Sequence, residues 1–235
     1  MEKSIYSIGI GLGDPELVTL KAKRLMEESD IIVTPQSNAT GKSVAKEIVL
    51  NFVDESKLLM YYFPMNNDKK ELEQKYGQLA ERIFGLLTKG KKVAFVTMGD
   101  PTIFSTSNYL TAKLTAKHVK VNHVPGINTI NGASTLLGLP ICVKGENFGV
   151  YEMQRDVETT VKLIKRHPTT IFMKVNKKLP ALIEAVEQCR PQTAFLTQKI
   201  GLKDEAVYDL LRKEVPEDGA YLSAAFIKRF QPPLR

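Results

Sequence analysis

The chain has 235 residues, of which 43% are hydrophobic and 25% charged, a length and composition ordinary for one large or two small soluble globular domains. Its formal net charge of +7 favours an anionic partner, such as a nucleic acid, an anionic lipid or a small ligand with many carboxylates. The two cysteines, Cys142 and Cys189, are far apart in the sequence, which argues against a disulfide or a metal site and predicts core positions for both.

No segment of the sequence indicates export or a membrane span. The first residues, MEKSIYSIGIG, run directly into a strand pattern without the features of a signal peptide. The most apolar stretch, 136–143, is too short to cross a bilayer. The basic residues are dispersed and lack the aromatic pattern of an RNA-binding sheet. We therefore expect a cytoplasmic protein with neither a membrane nor a nucleic acid as partner.

Strand and helix patterns alternate along the first half of the chain. The predicted strands are 4–11, 30–34, 92–100 and 119–124, and the predicted helices are 15–28, 44–50, a segment including 76–87 that ends at 90, 101–116 and 127–139. This alternation predicts an α/β domain with a mainly parallel sheet. Because Pro125-Gly126 ends one strand and precedes a helix, we predict domains over 1–125 and 126–235.

The second half repeats the alternation on a smaller scale. The predicted strands are 147–153, 169–175, 193–200 and 220–227, and the predicted helices are 157–164, 179–189 and 204–215. The sequence therefore predicts a second α/β domain.

The triplet Gly-Asp-Pro occurs at 13–15 and again at 99–101, each time directly after a strand pattern. One interpretation is structural, because Asp caps helices and Pro fits the first helical position. The other interpretation is a ligand site. A dinucleotide is disfavoured, because the third glycine comes one residue early for the phosphate-binding pattern and the carboxylate would oppose a pyrophosphate. Close carbonyls and a carboxylate favour a cation instead, such as the sulfonium of S-adenosylmethionine.

Five segments in order resemble the tetrapyrrole (precorrin) methyltransferases: IGIGLGDPELVTLKAKRLMEESDIIV, AFVTMGDPTIFST, HVPGINTINGASTLLGLPI, IFMKV and FLTQKIGLKDE. The similarity covers nearly the whole chain. A sixth segment, YYFPMNNDKKEL, resembles the branch that methylates C20 of precorrin-2 or cobalt-factor II in cobalamin biosynthesis. The resemblance implies two α/β domains, S-adenosylmethionine in the cleft between them, and a homodimer.

The resemblance also implies the roles of particular residues. It assigns the cofactor to Leu12, Met98, Gly99, Asp100, Ile103, Asn128, Thr129, Met173 and Ile200. Leu12 stands where many members of the family have Pro. It assigns the substrate to Asp14, Tyr62, Phe63 and Met65, although a loop over 63–65 that packs on the core is the alternative for Phe63 and Met65.

A polycarboxylate tetrapyrrole suits the positive net charge, and its electron-rich meso carbon can itself attack the methyl group. The protein must then hold that carbon in line with the sulfur–methyl bond. A base must remove the meso proton, and the candidates are Asp14, Tyr61, Tyr62 and Asp68. No metal site is predicted, because His118, His123 and His167 share no ligand spacing.

Two alternatives stay open at this point. The same fold could act on another substrate, namely another precorrin position, a diphthine precursor or rRNA. A protein of another class, a non-catalytic binding module, could retain the cofactor site without turnover.

Overall fold

The computed structural model describes residues 2–36, 43–63, 69–217 and 219–230. The chain divides into two compact units, Met1–Asn128 and Thr129–Arg235. Each unit contains one five-stranded sheet with helices. In the described ranges, no helix is both long and apolar enough to cross a membrane.

The first unit has a parallel sheet. Its strands are β1 (Ser4–Gly9), β2 (Ile31–Gln36), β3 (Leu58–Tyr62), β4 (Val93–Thr97) and β5 (Lys120–Val124), and its helices are α1 (Leu20–Glu27), α2 (Val44–Val49), α3 (Lys69–Thr88) and α4 (Ser107–Thr115). The strand order is β3-β2-β4-β1-β5, and every neighbouring pair is parallel. The predicted parallel α/β sheet is therefore confirmed.

Both faces of this sheet are buried, as parallel sheets require. Ala94 and Val96 of β4 pack on one face with residues of α1 and α2. Val93 and Phe95 pack on the other face with residues of α3 and α4. The continuous apolar run of β4 reflects this double burial.

The second unit has a mixed sheet. Its strands are β6 (Phe148–Glu152), β7 (Thr169–Met173), β8 (Thr193–Gln198), β9 (Ala206–Asp209) and β10 (Ser223–Lys228), and its helices are α5 (Thr129–Leu137), α6 (Val157–Arg166) and α7 (Leu179–Cys189). The order is β6-β7-β10-β8-β9. Only β6 and β7 pair in parallel, and the other neighbours are antiparallel.

The predicted helix over 204–215 is wrong. Ala206–Asp209 forms the edge strand β9, which pairs with β8 in the register Phe195↔Asp209, and Leu210–Arg212 forms a single 3₁₀ turn. Tyr208 packs against the core of the second unit. The apolar spacing fits either structure, and the long-range hydrogen bonds to β8 favour the strand.

Two other predicted helices begin later than expected. The segment 15–28 is a 3₁₀ turn at Pro15–Leu17 followed by α1, whose start is capped by Thr19. The segment 101–116 becomes helical only at Ser107, because Phe104 has a φ of +48°. The strand β3 was not predicted. Cys142 is exposed, so its predicted core position is wrong, whereas Cys189 is half-buried.

Candidate functional site

Three turns meet at one edge of the first sheet. The strands β4, β1 and β5 are parallel neighbours, so the turns that follow them lie at the same edge. The turn after β1 and the turn after β4 are joined directly, since Gly99 N donates a hydrogen bond to Gly11 O at 2.6 Å. The carboxyl ends of parallel strands are the usual position of ligands in α/β folds. This edge is therefore the first candidate site.

Backbone contacts between glycines hold the three turns together. A Cβ added to Gly9 would lie 2.5 Å from Gly99 O and 2.7 Å from Gly126 N, so no other residue type fits at Gly9 without a backbone shift. Gly99 differs, because the nearest atom to an added Cβ is Asn128 Cα at 3.9 Å. The backbone of Gly99, at φ +66°, is thus open to approach by a ligand.

The carboxylate of Asp100 joins the turn after β4 to the turn after β5. Its Oδ1 accepts hydrogen bonds from Thr102 N at 2.8 Å and from Thr102 Oγ1 at 2.5 Å, and its Oδ2 accepts one from Gly126 N at 3.2 Å. Burial alone would raise the pKa of Asp100, but the bonds from Thr102 and Gly126, with a smaller effect of His123, outweigh it and lower the pKa. Asp100 is therefore ionised at neutral pH.

A chain of hydroxyl groups fixes the segment that follows Asp100. Thr97 Oγ1 and Ser105 Oγ are 3.0 Å apart, Ser105 Oγ and Ser107 Oγ are 2.9 Å apart, and Ser107 Oγ donates to Pro101 O at 3.0 Å. Sequence analysis missed these serines, because isolated hydroxyl residues in a loop carry no pattern. The contact between Thr97 and Ser105 closes the segment 98–104, which contains Met98, Gly99, Asp100 and Ile103.

Asp14 occupies a different position from Asp100. Its Oδ1 accepts a hydrogen bond from Glu16 N at 2.8 Å, which caps the 3₁₀ turn that begins at Pro15. The neighbouring Leu12 is buried. The two Gly-Asp-Pro turns therefore differ, since the first caps a local turn and the second joins two strand ends.

Phe63 belongs to an aromatic cluster beside the edge strand β3. Its ring centroid is 4.7 Å from that of Tyr76 and 5.1 Å from that of Tyr61, and Tyr76 is 5.5 Å from Tyr109. These contacts favour the alternative in which Phe63 packs on the core. Met65, like Pro64 and Asp68, lies outside the described residues.

The two tyrosines of β3 have different environments. Tyr61 OH donates to Lys75 O at 2.8 Å, and burial raises the pKa of Tyr61 despite the opposing effect of Arg82. A phenol that already donates its proton and has a raised pKa is a poor base, so Tyr61 is disfavoured in that role. Tyr62 follows it on β3 and is 38% exposed.

The remaining assigned residues, Thr129, Met173 and Ile200, belong to the second unit. Met173 ends β7 and pairs with Ala224 near the start of β10. Ile200 follows the end of β8 and is buried. Because β10 runs antiparallel to β7 and β8, Met173 and Ile200 lie at the edge of the sheet where β10 begins.

Backbone strain is concentrated at this edge of the second sheet. Of the described non-glycine residues with positive φ, Arg190 and Lys213 directly follow helical turns, where the left-handed conformation is common. His118 lies three residues beyond the end of α4, and Phe104 lies three residues before its start. Five others lie beside the strand ends that hold Met173 and Ile200: Lys174, Asn176, Lys199, Ala220 and Leu222. Such strain is typical of functional sites. Sequence analysis missed these residues, because none is a glycine.

The edge of the first unit fits a small cationic ligand. Gly99 offers open backbone, and Asp100 supplies a negative charge in the same turn. This charge opposes a phosphate and favours a sulfonium. Within the described parts of the chain, no three His, Cys, Asp or Glu side chains come together as a metal site would require.

A family model described as "Tetrapyrrole (Corrin/Porphyrin) Methylases" matches residues 4–216. A relative from Methanocaldococcus jannaschii, named a probable cobalt-precorrin-2 C(20)-methyltransferase, is 32% identical, with 97% of each chain covered. A precorrin-2 C(20)-methyltransferase from Sinorhizobium is 24% identical, with 95% of this chain and 94% of the relative covered.

A solved structure shares the fold. The uroporphyrin-III C-methyltransferase from Thermus thermophilus, complexed with S-adenyl homocysteine, matches with a TM-score of 0.69 at 19% identity, over 96% of this chain and 97% of that one. The predicted fold class, two α/β domains of this type, is therefore confirmed.

Proposed function

Because the chain belongs to the tetrapyrrole (corrin/porphyrin) methylase family, we propose that it is an S-adenosylmethionine-dependent methyltransferase that acts at C20 of precorrin-2 or its cobalt complex in cobalamin biosynthesis. The observation that carries this proposal is the full-length similarity to the Methanocaldococcus jannaschii relative. The sequence YYFPMNNDKKEL, typical of the C20 branch, supports it.

The proposed cofactor contributes a methyl group bound to a positively charged sulfur. In the first unit, Met98, Gly99, Asp100, Ile103 and Asn128 would bind it: the open backbone of Gly99 admits the ligand, and the ionised Asp100 keeps the turn negative. In the second unit, Thr129, Met173 and Ile200 complete the proposed set. The strained strand ends beside Met173 and Ile200 support this part of the assignment.

The reaction requires the protein chiefly to orient its substrate. The meso carbon supplies the electron pair for the new carbon–carbon bond, the sulfur–methyl bond breaks, and the meso proton leaves to a base. The transfer neutralises the positive charge on sulfur and creates no negatively charged oxygen, so no oxyanion needs stabilisation. Of the candidate bases, Tyr61 is disfavoured by its hydrogen bond to Lys75 O, and Asp14 and Tyr62 are the described candidates that remain.

We further propose that the substrate already contains cobalt. The relative named for the cobalt substrate is 32% identical, whereas the one named for metal-free precorrin-2 is 24% identical. An assay of both substrates side by side, with labelled methyl donor, tests this. Faster transfer to the cobalt compound is expected, and faster transfer to the metal-free compound would reverse the assignment. Tight cofactor binding with no transfer to either would favour a binding module.

The family resemblance also supports the proposal that the protein is a cytoplasmic homodimer that binds no nucleic acid. Light scattering of the purified protein is expected to give twice the mass of one chain. If the purified protein retained RNA through a high-salt wash and methylated it, that result would instead favour the rRNA alternative.

A further inference from the structure

Lys228, the last residue of β10, is an unusual buried cation. Its side chain is 1% exposed. Its Nζ donates to Pro140 O at 3.0 Å, and the nearest carboxylate oxygen, Glu146 Oε2, is 4.0 Å away. An ammonium group has three donors, and 4.0 Å is longer than a hydrogen bond. The contacts to the described residues therefore leave part of the hydrogen-bonding capacity of Lys228 unused.

Three buried oxygens without a partner lie around this lysine. Thr169 and Thr193 are directly opposite Lys228 on the two neighbouring strands, and such pairs point to the same face of a sheet. Within the described residues, Thr169 Oγ1, Thr193 Oγ1 and Glu146 Oε1 are buried and accept or donate no hydrogen bond. Ser7 Oγ, the other such atom, is in the first unit.

The cluster lies on the face of the second sheet opposite to α6 and α7. Ala225 and Ile227 of β10 pack into the core with those helices, so Lys228 points the other way, because side chains alternate along a strand. Pro140 and Glu146 both belong to the connection between α5 and β6. The cluster therefore attaches this connection to the end of β10.

We propose that Lys228, Glu146, Thr169 and Thr193 form a site for internal water, in which at least one ordered water molecule bridges the ammonium, the free carboxylate oxygen and the hydroxyls. Water fits because it both donates and accepts, and buried waters usually serve polar groups that lack other partners. An anion would be repelled by Glu146 and a cation by Lys228. An apolar occupant would leave all these groups without hydrogen bonds, which is costly.

Isosteric substitutions test the proposal. In Thr169→Val and Thr193→Val the hydroxyl is lost with little change in volume. If water satisfies these hydroxyls, each variant lowers the midpoint of thermal unfolding by about 2–4 °C. Thr197→Val is the matched control, because Thr197, like Thr169, is fully buried but its Oγ1 donates to Ala224 O at 3.2 Å.

An unchanged or raised midpoint would overturn the proposal. If the two hydroxyls lack any partner, their removal leaves the midpoint unchanged or raises it, while Thr197→Val still lowers it, and the proposal is overturned. A high-resolution crystal structure gives an independent answer. It is expected to show water within about 3.2 Å of at least two of the four side chains. Direct bonds among the side chains, with no water, would contradict the proposal.

Discussion

The carboxylate of Asp100 and the backbone amide of Gly126 are joined by a hydrogen bond of 3.2 Å between two different strand-end turns. Together with the two bonds from Thr102, this contact occupies both oxygens of the carboxylate. Asp100 therefore combines two tasks in our proposal: it provides negative charge, and it fixes the turn that contains Gly99.

Loss of the Asp100 carboxylate is expected to abolish binding of S-adenosylmethionine, whose sulfur is positively charged. Asp100→Ala removes the charge and leaves the amide of Gly126 without its acceptor. Titration calorimetry measures the affinity, and circular dichroism checks that the fold persists. Thr102→Val, which removes one hydrogen bond, is expected to weaken binding about fivefold, whereas Thr102→Ser retains the hydroxyl and serves as the control. Unchanged affinity in Asp100→Ala would contradict the cofactor assignment.

The lowered pKa of Asp100 predicts a pH dependence of stability. Because the pKa is lower in the folded protein than the ordinary value of 3.8, ionised Asp100 stabilises the fold above that value. The contribution is lost as the pH falls through the folded pKa. The free energy of unfolding should therefore fall more steeply below about pH 4 in the wild type than in Asp100→Asn. Parallel curves for the two proteins would rule out this contribution. Asp156, whose pKa is also lowered, chiefly by hydrogen bonds from Thr159, contributes equally to both.

Two glycine-to-alanine substitutions should have opposite effects. In Gly9→Ala the new Cβ would lie 2.5 Å from Gly99 O, so the variant should lose about 1–3 kcal/mol or more of stability. In Gly85→Ala, on α3, no atom beyond the adjacent residues and the backbone of the same helix lies within 4 Å of the new Cβ, and helix propensity should add about 1 kcal/mol. Thermal unfolding measures both changes. A stable Gly9→Ala protein would show that the three turns are not closely packed.

Tyr61→Phe is expected to retain full catalytic activity. The variant loses the hydrogen bond to Lys75 O, which should cost about 1 kcal/mol of stability. Steady-state kinetics and thermal unfolding separate the two effects. A large fall in kcat, without the matching fall in Tyr62→Phe or Asp14→Asn, would instead identify Tyr61 as the base.

The sequence predicts four of the five strands of the first unit, because those strands are apolar runs and Gly-Asp-Pro marks two of their ends. It fails where long-range pairing decides the structure. Val207 and Leu210 have a spacing that suits a helix, yet hydrogen bonds between β9 and β8 hold Val207 in a strand. The strands β8 and β9 are consecutive and joined by residues 199–205, but the apolar spacing within 204–215 does not show that they pair.

The candidate site is predictable only in part. Glycine and aspartate in the second turn signal a ligand site, because their chemistry is readable from residue type. The role of Thr102 cannot be predicted from the sequence, since a threonine in a loop has many possible hydrogen-bond partners. The strained backbone at Lys199 and Leu222 carries no signal either, because its cause lies in the tertiary structure rather than in the residue type.

The glycine contacts among the three turns have a consequence for engineering. They involve main-chain atoms, so a side chain that makes no bond to these turns can vary without disturbing them, whereas Asp100, which accepts a hydrogen bond from Gly126 N, cannot. A mutant library designed to alter which macrocycle is accepted should keep Gly9, Gly99, Gly126 and Asp100 constant and diversify the surrounding loops.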